Sequence, residues 1–463
     1  MSSKNEKITR RNFLSQSSKT AAGVFAATAL ASCTTVETSR PTKIKAMGAN
    51  ERINLAVIGI RGRGISLAEG FAKIDNVRVK TLCDIDENLF AERVKRIAEI
   101  QDSAPGTKYD LRDVYDDKEI DAVVIGAPNH WHALATIWAC QAGKHVYVEK
   151  PCSHNVWEGR KMIEAARKYN RLVQVGFQNR SRLDANAAMK FLHDGKLGKI
   201  YMARGLCFKP RDSFGLFPDS AVPAGVHYDI WLGPAPYRPF NQGRFHYNWH
   251  WHWDTGNGDT GNQGPHQFDV ARWGLNKNEH PVKINSVGGY YKFQDVCSQE
   301  TPNTQTSTFE YADGTILEFG TRGLYTNSEG NVQIGNLFFG TDGWMQLDGG
   351  GSWKTFFGRK NEPGPGSESE EEKYDAMNLT GTGGGGHQDN FIAALRSGKR
   401  SDLTCDIEVG YMSTVLPHLA NISYRLGREL TFDGKKEKFV GDSQANRMLT
   451  RKYRKPYVVP DKV

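Results

Sequence analysis

A glycine turn and an acid downstream of it have residue types and a spacing suited to nucleotide binding. The turn reads Gly59-Ile60-Arg61-Gly62-Arg63-Gly64, and the acid is Asp84. Glycines let the backbone turn sharply and approach a pyrophosphate, whose charge is stabilised at the start of the following helix. The alternative is a plain structural turn, because any tight strand-to-helix connection recruits glycine. We predict that Gly59, Arg61, Gly62, Arg63 and Gly64 bind a dinucleotide.

The elements around this turn follow the order strand, turn, helix, strand. An apolar run, Leu55 to Ile58, precedes the turn, and a second run, Val77 to Leu82, ends at Cys83 and Asp84. An acid at the tip of the second strand can accept hydrogen bonds from both ribose hydroxyls, and it would repel a 2′-phosphate. Asp84 therefore predicts NAD as the cofactor in preference to NADP.

Two later strands also end in polar residues. The strand Ile120 to Ile125 is followed by a helix start, and the strand at His145 ends in Glu149-Lys150-Pro151. Parallel strands bind ligands beyond their carboxyl ends, so these side chains should face the nucleotide. A lysine at a strand end is ordinarily just solvated, but this location favours a catalytic role. The residues predicted to line the cofactor site here are Pro128, Asn129, His132, Glu149 and Lys150.

These motifs together resemble the glucose-fructose oxidoreductase/inositol dehydrogenase (Gfo/Idh/MocA) superfamily. They are the glycine turn, Asp84, Asn129-His130-Trp131-His132, Gly143-Lys144-His145 and Glu149-Lys150-Pro151. The resemblance covers about residues 51–460. It implies an α/β protein with an N-terminal Rossmann domain and a C-terminal α/β domain, whose large, mostly antiparallel sheet faces the nicotinamide and often forms oligomer contacts. Family members move hydride at a sugar or cyclitol carbon, and Lys150 matches the lysine that positions or polarises the reacting hydroxyl.

A second cluster resembles the family's Asp-x-x-x-His pair. His266 matches the histidine that acts as general base, which a group with a pKa near neutrality can do. Asn262 stands where many members carry aspartate. An amide can orient a hydroxyl, but it cannot accept a proton.

The aromatic run before this cluster has three interpretations. On a strand, His250 and His252 would lie on one side and suggest a metal, yet no carboxylate or cysteine set completes the ligands, so no metal site is predicted. Aromatic rings also suit the C–H faces of sugars, and core packing is the third interpretation. Gln178 and Arg180 could line the same cleft or make ordinary helix-surface contacts. The residues predicted to bind substrate are Gln178, Arg180, Trp249, Trp251, Trp253, Asp254 and His266.

Residues 1–33 are predicted to be an export signal. Thr9-Arg10-Arg11-Asn12-Phe13-Leu14 is a twin-arginine pattern, and Leu30-Ala31-Ser32-Cys33 resembles a lipobox, in which Cys33 is lipidated. We therefore expect a periplasmic or cell-envelope protein. Residues 34–50 are predicted to be a tether.

Composition sets the remaining expectations. The 463 residues, with 11% aromatic and 24% charged, predict two or more globular domains. We place them at 51–180 (NAD-binding), 181–440 (substrate and oligomerisation) and 441–463 (tail). Half of the net charge of +8 lies in the first 32 residues, and no basic block remains to suggest nucleic acid. After the signal no apolar run reaches the roughly 20 residues of a membrane span, so only the lipid at Cys33 would contact a membrane.

The second half alternates apolar and polar residues in runs typical of antiparallel strands. Six scattered cysteines after Cys33 are interpreted as buried thiols, although a disulfide is permitted in the periplasm. Pro363 to Glu372 is predicted to be a surface loop, and the helices His387 to Arg396 and Asp406 to Leu426 are expected to fold back onto the first domain. The predicted strands are Val282 to Val287, Thr306 to Tyr311, Thr315 to Gly320, Gln333 to Phe339 and Trp344 to Leu347.

Three functions are consistent with these residues. The leading hypothesis is an NAD-dependent oxidoreductase acting on a sugar, glycoside or cyclitol hydroxyl with tightly bound cofactor, and the intact Glu149-Lys150-Pro151 favours it. The second is an NAD-dependent glycoside hydrolase that oxidises its sugar transiently and eliminates the aglycone. The third is a non-catalytic nucleotide- or sugar-binding protein. An exposed second-domain sheet would favour a homodimer or homotetramer.

Overall fold

The computed structural model describes residues 46–48, 51–367 and 386–463. The predicted export signal with Cys33, and all but three residues of the predicted tether, lie outside the described residues. Within the described ranges, no helix is both long enough and apolar enough to cross a membrane.

The first half of the described chain is built on a parallel sheet. Its strands are β1 (Ile53–Ile58), β2 (Val77–Cys83), β3 (Gly106–Lys108), β4 (Ala122–Ile125), β5 (His145–Val148) and β6 (Val173–Val175). They lie in the order β3-β2-β1-β4-β5-β6, and every neighbouring pair is parallel. β1, β4 and β5 are almost wholly buried because helices cover both faces. This is the predicted Rossmann fold.

Helices connect these strands. They are α1 (Arg63–Ala72), α2 (Phe90–Gln101), α3 (Leu111–Asp116), α4 (Asn129–Gln141) and α5 (Val156–Lys168). The predicted helix after β6 begins with a 3-10 turn, Gln178–Ser181, before α6 (Leu183–His193).

The second half is built on a ten-stranded sheet. Its strands are β7 (Ile200–Cys207), β8 (Lys283–Gly289), β9 (Thr304–Glu310), β10 (Ile316–Arg322), β11 (Ile334–Gly340), β12 (Gly343–Asp348), β13 (Trp353–Phe357), β14 (Glu362–Gly366), β15 (Leu430–Asp433) and β16 (Lys438–Phe439). Their order is β14-β13-β12-β11-β7-β10-β9-β8-β15-β16. Of these pairings only β7 with β10 is parallel, which confirms the mostly antiparallel sheet.

One loop prediction is wrong in part. Pro363 to Gly366 belong to β14, which pairs with β13 through Phe356 and Pro363. Proline is tolerated there because an edge strand does not need all of its N–H groups for pairing. The rest of the predicted loop, from residue 368, lies outside the described residues.

The remaining α-helices lie in the second half of the described chain. They are α7 (Tyr228–Leu232), α8 (Gly258–Asn262), α9 (Gly264–Gly274), α10 (His387–Ser397), α11 (Ile407–Leu426) and α12 (Ser443–Arg447). On α9, Phe268 packs against Phe319 of β10, with ring centroids 4.4 Å apart. On α10, Phe391 packs edge-on against Phe71 of α1, so this helix folds back onto the first domain as predicted. The six cysteines after Cys33 are free and buried, which confirms their interpretation as thiols.

Candidate active site

The glycine turn leads directly from β1 into α1. Gly59 has a φ of +81°, and a Cβ there would lie 2.6 Å from the backbone nitrogen of Ala127. A Cβ on Gly64 would lie 1.6 Å from the carbonyl oxygen of Gly59. A Cβ on Gly62 would meet no protein atom within 4 Å. Gly59 and Gly64 are therefore needed for the turn itself, whereas the space above Gly62 is open and fits an approaching pyrophosphate.

Asp84 lies at the tip of β2, as predicted. Its Oδ2 atom accepts a hydrogen bond from the backbone N–H of Ile60 at 2.7 Å, which ties the carboxylate to the glycine turn. Burial raises the pKa of Asp84 to about 6, although backbone hydrogen bonds act in the opposite direction. The carboxylate is therefore mostly ionised at neutral pH and fits the ribose of NAD.

Glu149 connects the nucleotide turn to the end of β5. Its Oε1 atom accepts from Arg63 Nε at 2.9 Å and from Gln178 Nε2 at 3.2 Å. Burial opposes ionisation of Glu149, but the charges of Arg63 and Lys150 outweigh it and hold the pKa of that carboxyl below its usual value. The Arg63–Glu149 pair was not foreseen, because the two residues are far apart in sequence.

Lys150 points from the end of β5 to α8. Its Nζ atom donates to the backbone carbonyl oxygen of Asn262 at 2.7 Å and lies 3.5 Å from Asn262 Oδ1. Burial lowers the pKa of Lys150 to about 8, with Glu149 opposing the shift. The structure therefore brings together two of the three predicted catalytic residues.

His266, the third, lies in the first turn of α9. Its ring packs edge-on against Phe177 at 6.1 Å, and its side chain makes no hydrogen bond with any described residue. Burial, together with the positive charges of Lys150 and Arg63, holds the pKa of His266 well below its usual value. The neutral imidazole can accept a proton, but its lowered pKa makes it a weaker base than an ordinary histidine.

Asp259 and Arg211 form an ion pair near Lys150 that the sequence analysis missed. Arg211 Nε and Nη2 each lie 2.6 Å from a carboxylate oxygen of Asp259, which is only 3% exposed. The negative charge of Asp259 raises the pKa of Lys150. An acid three residues before Asn262 was the available sequence signal.

The aromatic run is a 3-10 helix, His246–Trp251, and not a strand. His250 Nδ1 lies 2.5 Å from the carbonyl oxygen of Tyr247, and the His250 ring stacks on Trp249. His252 is buried, with Nε2 3.0 Å from the Gly243 carbonyl oxygen. The two imidazoles therefore have separate partners, and the described residues contain no metal-binding group of three or more His, Cys, Asp or Glu side chains.

Three of the residues predicted to bind substrate contact arginine side chains of the protein. Trp251 is 4% exposed and lies beneath the Arg211 guanidinium, 4.6 Å from its ring centroid. Asp254 pairs with Arg238 at 2.5 Å, and Trp253 packs under Arg425. These contacts fit the core-packing interpretation, and a substrate contact of the three residues stays a prediction. Trp249 is half-buried and remains a candidate.

Gln178 and Arg180 both hydrogen-bond to buried side chains of the protein. The Gln178 amide donates to Glu149 and to the Tyr147 hydroxyl, the latter at 3.0 Å. Arg180 makes three hydrogen bonds of 2.8 to 3.0 Å to Asp269, which is 1% exposed. Buried polar groups require such partners, and a substrate contact of either side chain stays a prediction.

The start of α4 lies at the carboxyl edge of the parallel sheet, with Pro128 just before its first residue. Asn129 donates to Asn257 Oδ1 at 2.7 Å. The nitrogens of His132 lie 2.7 Å from the Pro151 carbonyl oxygen and 2.8 Å from that of Ala127. His132 therefore ties the two strand ends together, and its place in the cofactor site stays a prediction.

Comparisons with known proteins agree with this arrangement. Residues 53–177 match the model of the GFO_IDH_MocA oxidoreductase family, NAD-binding Rossmann fold. Residues 214–327 and 385–459 match the model of the family's C-terminal alpha/beta domain.

Curated relatives match over shorter stretches. A "Glycosyl hydrolase family 109 protein 2" of Shewanella sp. is 33% identical over 170 residues, which cover 34% of this chain and 36% of that protein. A levoglucosan dehydrogenase of Pseudarthrobacter phenanthrenivorans is 32% identical over 126 residues, covering 27% and 31%. The chain thus spans about a third of the length of these curated relatives.

Solved structures match over most of the chain. The aldose–aldose oxidoreductase of Caulobacter crescentus, complexed with glycerol, has a TM-score of 0.61 at 18% identity, covering 82% of this chain and all of that one (100%). Levoglucosan dehydrogenase complexed with NADH and levoglucosan has a TM-score of 0.62 at 18% identity, covering 82% and 99%. At this identity the likeness shows the fold.

Proposed function

Because the chain belongs to the GFO_IDH_MocA oxidoreductase family and carries its NAD-binding Rossmann domain, we propose that it oxidises a hydroxyl of a sugar, glycoside or cyclitol with tightly bound NAD. The observation that carries this proposal is the contact of Lys150 Nζ with Asn262, 2.7 Å from its carbonyl oxygen. That contact lies in the same cluster as a neutral His266, beyond the carboxyl end of β5.

Lys150, His266 and Asn262 each have a different role in this reaction. The Lys150 ammonium group donates a hydrogen bond to the oxygen of the reacting hydroxyl and makes it more acidic. His266 takes the hydroxyl proton. The Asn262 amide orients the hydroxyl. NAD, when bound, accepts the hydride that leaves the carbinol carbon.

The NAD-binding residues would hold NAD in one orientation. Asp84 would bind the ribose, and the glycine turn with the N-terminus of α1 would bind the pyrophosphate, so that the nicotinamide would lie toward the first turn of α4. Arg63, held by Glu149, links the pyrophosphate end to Lys150. The ionised Asp84 disfavours a 2′-phosphate, which supports NAD.

A glycoside hydrolase cycle is the second candidate, and the family 109 relatives favour it. In that cycle a ring carbinol loses a proton and a hydride to give a ketone. Loss of the neighbouring C–H proton then expels the aglycone, whose oxygen is protonated as it leaves. Water adds to the resulting alkene, the hydride returns to the ketone carbon and a proton returns to the ketone oxygen. Oxidation and reduction cancel, so the retained cofactor suits this cycle equally well. A non-catalytic binding protein would have no use for the Lys150 and His266 arrangement.

The test uses purified protein, a panel of sugars and a panel of aryl glycosides. Lasting reduction of the bound nicotinamide without aglycone release identifies the oxidoreductase. Aglycone release without lasting reduction identifies the hydrolase cycle. Neither change with any compound, in protein shown to contain NAD, would contradict both.

The proposal also includes export of the protein and its assembly into an oligomer. The Arg10-Arg11 pair and the lipobox support twin-arginine export and lipidation of Cys33, with a periplasmic or cell-envelope location. Replacing both arginines by lysine should leave the protein in the cytoplasm, whereas Cys33→Ser should release it from the membrane fraction. The large sheet supports a homodimer or homotetramer, which light scattering of the full chain would measure.

A further inference from the structure

The loop that follows Asp84 is covered by residues from the second half of the chain. Residues 85–88 continue from the predicted ribose acceptor, so they border the adenosine end of the NAD site. The covering residues are 224–227 together with His246, and we call them the clasp.

The backbone of the clasp pairs with this loop as a short antiparallel strand would. Val226 bridges Asp86, the Glu87 N–H donates to the Gly225 carbonyl oxygen at 2.9 Å, and the His227 N–H donates to Ile85 at 2.8 Å. These bonds come from two segments that are distant in sequence. The loop therefore cannot move outward without breaking them.

Side chains reinforce the same contact. His227 Nε2 lies 2.6 Å from Glu87 Oε1, and the His227 ring stacks on Tyr109, with centroids 3.9 Å apart and planes within 10° of parallel. His246 Nε2 lies 3.3 Å from Asp86 Oδ2. His246 has a φ of +49°, a backbone conformation that a non-glycine residue adopts only where its surroundings impose it.

An apolar cluster packs against both the clasp and the loop that it covers. Tyr228, Trp231, Leu232, Phe240 and Phe245 form a buried core of their own. Ile85, the residue directly after Asp84, and Val226 of the clasp both pack against this core. Loop and clasp are thus joined by buried apolar surface as well as by hydrogen bonds.

We infer that the clasp retains the cofactor: it closes the adenosine end of the NAD site, and NAD leaves only when the clasp opens. This inference rests on the tightly bound cofactor of the proposed function. Interactions of this kind act mainly on dissociation rates, so their loss should appear as faster release.

The experiment measures release of NADH from the full-length protein. Protein loaded with NADH is mixed with excess NAD, and the loss of bound-NADH fluorescence is followed with time. His227→Ala removes the contacts with Glu87 and Tyr109, and Glu87→Ala removes the contact between His227 and Glu87 from the other side. Each should release NADH at least roughly tenfold faster than the unmodified protein. His246→Ala removes the contact of His246 with Asp86, and it should also release NADH faster.

The matched control is His193→Ala, an exposed histidine on α6 whose Nε2 bonds to the Trp273 carbonyl oxygen far from the clasp in sequence. It should release NADH at the unmodified rate. If His227→Ala fails to fold, Glu87→Ala still tests the inference, because it leaves every residue of the clasp unchanged. Unchanged release in both Glu87→Ala and His246→Ala would overturn the inference.

Failure of the clasp and failure of the proposed activity give different results. A protein that releases NADH slowly, loses that retention in the clasp variants and oxidises no sugar would contradict the activity and support the clasp. A protein that oxidises a sugar and releases NADH equally fast in all variants would support the activity and contradict the clasp.

Discussion

Lys150 Nζ lies 2.7 Å from the carbonyl oxygen of Asn262, so that the end of the parallel sheet and the helix just before His266 meet at one hydrogen bond. The lysine comes from β5 of the Rossmann domain, and the carbonyl comes from α8 beside the second sheet. The proposed acid–base pair is therefore assembled only when both domains are folded and in contact.

The pKa of Lys150 predicts how hydride transfer depends on pH. Polarising a hydroxyl requires the ammonium form, and burial sets the pKa at about 8. The rate of nicotinamide reduction should therefore fall as the pH rises through about 8. It should not fall on the acid side of neutrality, because burial and the charges of Lys150 and Arg63 hold the pKa of His266 well below its usual value. Lys150→Arg should be slower but lose the alkaline fall. A rate that instead climbs through this range would mean that the neutral amine acts as the base.

Asn262→Asp restores the acid that many family members carry. The Asn262 Oδ1 atom is 3.5 Å from Lys150 Nζ, so a carboxylate there would favour the ammonium form. We expect the alkaline fall to move upward by about one pH unit. The pH profile of bound-nicotinamide reduction measures this shift, and Asn262→Ser serves as the uncharged control. An unmoved profile would mean that a group other than Lys150 titrates.

Gly62 and Gly64 should respond differently to alanine. A Cβ at Gly62 meets no protein atom within 4 Å and the φ there is −116°, so the stability of the NAD-free protein should be unchanged. The increase in melting temperature caused by NAD should shrink, because the added methyl group enters the pyrophosphate space. A Cβ at Gly64 clashes with Gly59, so Gly64→Ala should melt lower even without NAD. If NAD raises the melting temperature of Gly62→Ala as much as that of the unmodified protein, Gly62 does not face the pyrophosphate.

Arg180 is predicted to contribute to stability through Asp269. Both side chains are buried, at 10% and 1% exposure, and Ser413 adds a hydrogen bond to Asp269 at 2.6 Å. Arg180→Met leaves the buried Asp269 carboxylate with only the more distant Arg272, 3.9 Å away, as a charge partner, which should cost about 3 kcal/mol of the free energy of unfolding. Urea denaturation measures the loss. The double variant Arg180→Met/Asp269→Leu should recover only part of it, because it also removes the carboxylate beside Arg272, and a single variant as stable as the unmodified protein would contradict a buried-charge penalty.

Features that depend on neighbouring residues were predictable from the sequence, whereas contacts between residues far apart in sequence were not. The glycine turn, Asp84, Lys150 and His266 lie in local motifs. Continuous apolar runs indicated the parallel sheet, and alternating apolar and polar residues indicated the second sheet. The Arg63–Glu149 and Arg180–Asp269 pairs join residues far apart in sequence, where local patterns carry no information. The run around Trp251 gave no clear period, because aromatic residues and histidines suit a strand, a 3-10 helix or a core equally well.

The most direct test of the account is the rate at which a substrate sugar reduces the bound nicotinamide, measured by rapid mixing, in the unmodified protein, Lys150→Met and His266→Ala. NAD content is measured in each preparation. The account predicts rapid reduction in the unmodified protein and a loss of about a hundredfold or more in each variant, with NAD still bound. Equal rates of reduction in all three proteins would contradict the assignment of Lys150 and His266 as the residues that activate the hydroxyl.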